Sequence, residues 1–95
     1  MSEIAYSGLK LLDGVGAVVN GDTYRCYQSK KSFQVLISDT ATVRLQVSNN
    51  GVNWETIASG ELTASGRLNV DAPTPYIRAI VSSYTSGTVS VILGL

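Results

Sequence analysis

Residues 42–58, TVRLQVSNNGVNWETIA, decide how the rest of the chain is read. Val43, Leu45 and Val47 alternate with Arg44, Gln46 and Ser48. That period of two belongs to a strand with one face on a core and the other in water. Asn50-Gly51 follows, a pair suited to a tight hairpin turn because both residues tolerate positive φ. Trp54 comes three residues after Gly51. In a hairpin it faces back toward Val47 or Leu45, where its ring covers the turn end of a core. Left exposed, the same ring is a stacking platform for a sugar. The residues alone leave both roles open.

The same punctuation continues on either side. Asp13-Gly14, Asn20-Gly21, Ser59-Gly60, Ser65-Gly66 and Ser86-Gly87 separate short runs rich in Val, Ile, Thr and Tyr. Regular short strands between glycine turns imply an all-β fold. The expectation is a single-domain antiparallel β-sandwich, or a jelly-roll-like barrel, of about eight short strands over residues 1–95. Strands are expected at 33–38, 23–28 and 67–70, the last stopped by Pro73, which has no backbone donor. In PYIRAIVSSY, Ile77, Ala79 and Val81 share one face and Tyr76, Arg78 and Ile80 the other. Neither face is wholly polar, so this is a central strand, and Arg78 is placed to pair with an acid such as Glu55. In GTVSVILGL, Val89, Val91, Leu93 and Leu95 share a face while Ile92 interrupts the polar side. Ile92 is therefore a candidate assembly contact. IAYSGLKLL fits neither period, leaving a strand bulged at Gly8 or a short helix.

Composition narrows the function. Ninety-five residues suit one domain. Apolar residues are 44% and charged residues 15%, the latter below a typical ~25%, which argues against disorder. Seven basic residues balance seven acidic ones, so nothing electrostatic draws the chain to nucleic acid or an anionic membrane. No run approaches the ~18 apolar residues of a helical membrane span. MSEIAYSGLK lacks the basic-then-apolar order of an export signal, so synthesis without export is expected.

The chain has no His, so Ser-His-Asp and Cys-His catalysis and a His-ligated zinc are excluded. Cys26 is the single cysteine; it forms no disulfide within the chain and is expected as a small buried hydrophobe. The carboxylates are scattered over turns and strand ends, and Lys30-Lys31 reads as a solvated turn. No catalytic residue, cofactor or metal site is assigned.

Two segments together, VRLQVSNNGVNWETIASGELTASG and APTPYIRAIVSSYTSGTVSVIL, resemble a pattern found in small bacteriophage virion proteins and β-sandwich modules of phage particles. Discoidin-type sandwiches share parts of it but are considerably longer. The resemblance covers roughly residues 41–95. It implies a non-enzymatic virion structural protein, first of all a capsid decoration protein that cements the head shell, assembled in the host cytoplasm. A tail, neck or fibre component is the alternative within that class; a carbohydrate-binding module using Trp54 is the alternative outside it. The resemblance also implies a homo-oligomer, with a trimer favoured, against a major capsid protein or other virion protein. Residues 1–6 are then an extended arm, with Ile4 and Tyr6 as candidate assembly contacts through β-augmentation of a neighbour.

Overall fold

In the computed structural model, residues 2–3 and 8–95 are described, with side chains from Gly8 onward. Among them are ten strands: β1 (Ser2–Glu3), β2 (Leu9–Val15), β3 (Val19–Asn20), β4 (Tyr24–Arg25), β5 (Lys30–Ile37), β6 (Thr40–Ser48), β7 (Glu55–Leu62), β8 (Gly66–Asp71), β9 (Tyr76–Ser86) and β10 (Val89–Gly94). Three of these are two-residue pieces, which is why ten strands stand where about eight are expected. Sheet A runs β1-β4-β9-β6-β7, with β3 also on β9; sheet B runs β2-β10-β5-β8. Every pairing is antiparallel except the parallel pair of β1 with β4.

The alternation read from the sequence sets the packing. Val43 and Leu45 of β6 and Ile77, Ala79 and Val81 of β9 turn inward from sheet A. Phe33 and Val35 of β5 and Val89, Val91 and Leu93 of β10 meet them from sheet B. Cys26 is buried with them. Each large side chain so buried contributes about 1.5–3 kcal/mol. The central position expected for the strand in residues 75–84 holds, since β9 lies between β4 and β6. Leu95, expected to share that inward face, lies beyond the end of β10 and is exposed.

The two sheets are joined at one corner by neighbouring crossings, Ser38 and Asp39 after β5 and Gly87 and Thr88 after β9. Ser38 N–H donates to Thr88 O at 3.1 Å, and Thr88 N–H donates to Ser38 Oγ at 2.7 Å. Ser86 Oγ donates to Asp39 Oδ2 at 2.7 Å. Gly87 sits at φ 89°, and a Cβ there would lie 2.6 Å from Ser38 Oγ and 2.9 Å from Asp39 N. Only glycine fits this approach.

Segment 9–15 is a strand, not a helix, and its broken period has a local cause. Val91 pairs with Leu12 and Ile92 with Lys10, which leaves Leu11 as the extra residue of a bulge. Leu11 and Leu12 are consequently both buried. A larger bulge distorts β7. Gln46 pairs with Thr56 and Arg44 with Glu61, so residues 57–60 stand against Leu45 alone. Ser59 takes φ 63° to make this possible. The bulge breaks up the outer edge of sheet A, as exposed edges require. The strand expected over 23–28 shrinks to Tyr24–Arg25, because Cys26 N–H bonds Pro75 O and the chain then leaves the sheet.

Candidate functional site

Sheet B presents one outer face. On β10 it consists of Ser90, Ile92 and Gly94, which pair with Leu36, Gln34 and Ser32 of β5. Asn69 and Arg67 of β8 continue it beyond Ser32 and Gln34, and Lys10 of β2 lies beside Ile92. Ile92 is half-buried and Leu36 is 43% exposed. The middle of the face is uncharged, with Lys10 on β2, Lys30 at the start of β5 and Arg67 on β8 around it. A shallow hollow of about 410 Å³ lies at one end, between Ser32, Asn69, Gly94 and Leu95, with Lys30 and Asp71 also on its lining. Ile92, which breaks the polar side of its strand in the sequence, stands in the centre of this face.

Of the expected arm, the described part is β1, laid parallel along β4 of its own sheet with Ser2 beside Tyr24 and Glu3 beside Arg25. Ile4 and Tyr6 lie outside the described residues.

The outer face of sheet A is organised around two arginines. Arg78 stacks on Trp54, its guanidinium carbon 4.4 Å from the ring centroid. Its Nε donates to Gln46 Oε1 at 2.8 Å, and Gln46 Nε2 donates to Thr56 Oγ1 at 3.3 Å. The expected pairing of Arg78 with Glu55 does not form, because Gln46 is the residue opposite Arg78 in the ladder. Among the described residues, the ion pair of this sheet is Arg44 with Glu61 at 3.5 Å, an exposed contact worth about 0–1 kcal/mol. Trp54 is half-buried, and Arg78 occupies one face of its ring. Arg25 bridges Tyr27 OH at 3.1 Å and Tyr76 OH at 3.2 Å, and the hydrogen bond to Tyr76, then that to Tyr27, holds its pKa above the usual arginine value.

Lys31 overturns the expectation of a solvated Lys30-Lys31 turn. It is 4% exposed, while Lys30 beside it on β5 is exposed. Its side chain points inward because strand period 2 places 31 with Phe33 and Val35. The ammonium donates to Gln28 O at 2.6 Å, Ala72 O at 3.2 Å and Ser29 O at 3.3 Å. One cation thereby ties the β4–β5 connection to the β8–β9 connection. Burial draws its pKa below the usual lysine value, opposed by Cys26 and Asp71.

The turn after β6 is wider than a two-residue hairpin, with six residues between Ser48 and Glu55. Side chains build it. Ser48 Oγ accepts from Gly51 N–H at 2.9 Å and Asn50 N–H at 3.2 Å, and Asn50 Oδ1 accepts from Val52 and Asn53 N–H, both at 2.9 Å. Gly51 takes φ 75°. Against this turn the β8–β9 connection forms a cleft of about 570 Å³. Val47, Ile57, Val70 and Pro73 give it apolar walls, and Asn49, Asn53, Glu55 and Thr74 give it polar ones. Thr74 Oγ1 is buried without a hydrogen-bond partner, an arrangement that costs about 1–3 kcal/mol. In the sequence, the density of amides in SNNGVN is the only local sign of this cleft.

Among the described residues no three His, Cys, Asp or Glu side chains gather to hold a metal ion. Glu55 is the single carboxylate lining the cleft, with no second one for acid–base work. Comparison with protein-family models, with curated proteins and with solved structures returns no match for this chain.

Proposed function

We propose that the chain is a non-enzymatic structural protein of a bacteriophage virion, working as a decoration protein that cements the capsid. The observation that carries this reading is the outer face of sheet B, where Ile92 and Leu36 stand beside Ser90, Ser32 and Gly94, with the charges of Lys10, Lys30 and Arg67 around them. An apolar centre ringed by polar and charged side chains is the anatomy of a face that packs against a neighbouring subunit or a capsid protein. The resemblance of residues 41–95 to phage-particle modules agrees with it. A small sandwich of this kind suits repeated placement on a symmetric shell.

The test is electron microscopy of virions carrying the chain, beside virions assembled with Ile92→Asp. The expected result is density on the head in a copy number that follows the capsid lattice, lost in the variant while its isolated domain stays folded by circular dichroism. Density confined to the tail or neck, or a variant that occupies heads as well as the natural chain, refutes the decoration role.

A further inference from the structure

We infer that the cleft between the β6–β7 turn and the β8–β9 connection is a binding site for a neutral saccharide. This goes beyond the virion reading and needs no assembly to operate. The volume, about 570 Å³, lies in the range of small-molecule sites, roughly 300–1,000 Å³. Among the described residues, the side chains of Asn49, Asn53 and Glu55 spend no hydrogen bond within the chain, so their polar atoms are available to a ligand. A primary amide offers one acceptor and two donors side by side, which matches adjacent hydroxyls on a sugar ring. A carboxylate such as that of Glu55 accepts two hydroxyls at once. Val47, Ile57, Val70 and Pro73 supply an apolar wall for the C–H face of the ring.

Charge selects among ligands. Glu55 is the one charged residue of the lining, so an anion is repelled. The absence of a second carboxylate leaves a cation without the paired ligands it wants. The site is also rigid, since Ser48 and Asn50 lock the turn that carries Asn49 and Asn53. A preset site loses little to ordering on binding. An inserted peptide strand is the rival occupant, because β7 and β8 are both sheet edges. It is disfavoured here: the bulge at residues 57–60 disrupts the β7 edge, and Pro73 and Pro75 lack backbone donors. Nor does the site use Trp54, whose ring is engaged by Arg78 on the outer face of sheet A.

The experiment is a ¹H–¹⁵N titration of the full chain with glucose, galactose, mannose, N-acetylglucosamine, maltose and chitobiose. At least one is expected to shift amides of residues 47–58 and 70–75 with a Kd of about 0.1–10 mM. Asn53→Ala and Glu55→Gln, both at exposed positions, should weaken that binding about tenfold with an unchanged spectrum elsewhere. If none of the six shifts these amides, if the shifts map to another surface, or if both variants bind like the natural chain, the assignment is wrong. Loss of sugar binding leaves the capsid reading untouched, and loss of capsid binding leaves this one untouched.

Discussion

Replacing Lys31 by Met isolates what a single buried ammonium does for this fold. The substitution keeps an unbranched chain of similar length and removes the three donors to Gln28 O, Ser29 O and Ala72 O. Only the bond at 2.6 Å has close to ideal length; the others, at 3.2 and 3.3 Å, are weaker. A hydrogen bond from a charged group nets about 1.5–3 kcal/mol, and the two longer ones add a fraction of that. Methionine recovers part of the loss by sparing the desolvation of an ammonium. The expected result is a net loss of about 2–3 kcal/mol, or about 10–20 °C in midpoint for a domain of this size. Trp54 fluorescence during urea unfolding reads it, with Lys30→Met as the control, expected within about 0.5 kcal/mol of the natural chain. A pH series adds a signed test. Burial lowers the folded-state pKa of Lys31 from 10.5, so between that lowered value and 10.5 the unfolded chain holds a proton that the folded chain has released. Stability attributable to Lys31 therefore rises with pH through this window, and the gap between natural chain and Lys31→Met widens. Equal stability of the natural chain and Lys31→Met, or a gap that narrows with rising pH, refutes the reasoning.

Two further outcomes are expected. Gly87→Ala meets both a positive φ and a backbone neighbour at 2.9 Å, and should lose about 3 kcal/mol, while Gly14→Ala, at φ 62° in open space, should lose about 1 kcal/mol; thermal unfolding that ranks them equally contradicts the corner packing. A double-mutant cycle of Trp54→Leu with Arg78→Met should show a coupling of about 0.5–2 kcal/mol, and a coupling of zero removes the cation–π contact from the account.

What the sequence disclosed was whatever depends on near neighbours. Val43, Leu45 and Val47, or Val89, Val91 and Leu93, point inward because strand geometry alternates residue by residue, and that pattern is complete within six residues. The bulge at Leu11 inverted the alternation midway through β2, so a period count failed there although the segment is a strand. Lys31 was misread because one of its three acceptors, Ala72 O, lies 41 residues away. Asn50-Gly51 marked a turn correctly but not its width, which the hydroxyl of Ser48 and the amide of Asn50 determine. The cleft joins Asn49 and Asn53 to Thr74 from a separate connection, and no local pattern announces such a meeting.

The place of β10 in sheet B bears on how the molecule is made. It is the last strand in sequence yet sits between β2 and β5. During synthesis those two strands emerge early with no ladder partner between them, and sheet B has no centre until residues 89–94 follow. The central pair of sheet A also waits, since Thr40 meets Ser86 only after β7 and β8 have been laid out between them. Long loops must close before these ladders stabilise anything, which puts folding at the slow end for a domain of this length. For that interval Phe33, Val35, Leu11 and Leu12 remain in water, and the chain is most vulnerable to association with its own kind before it is finished.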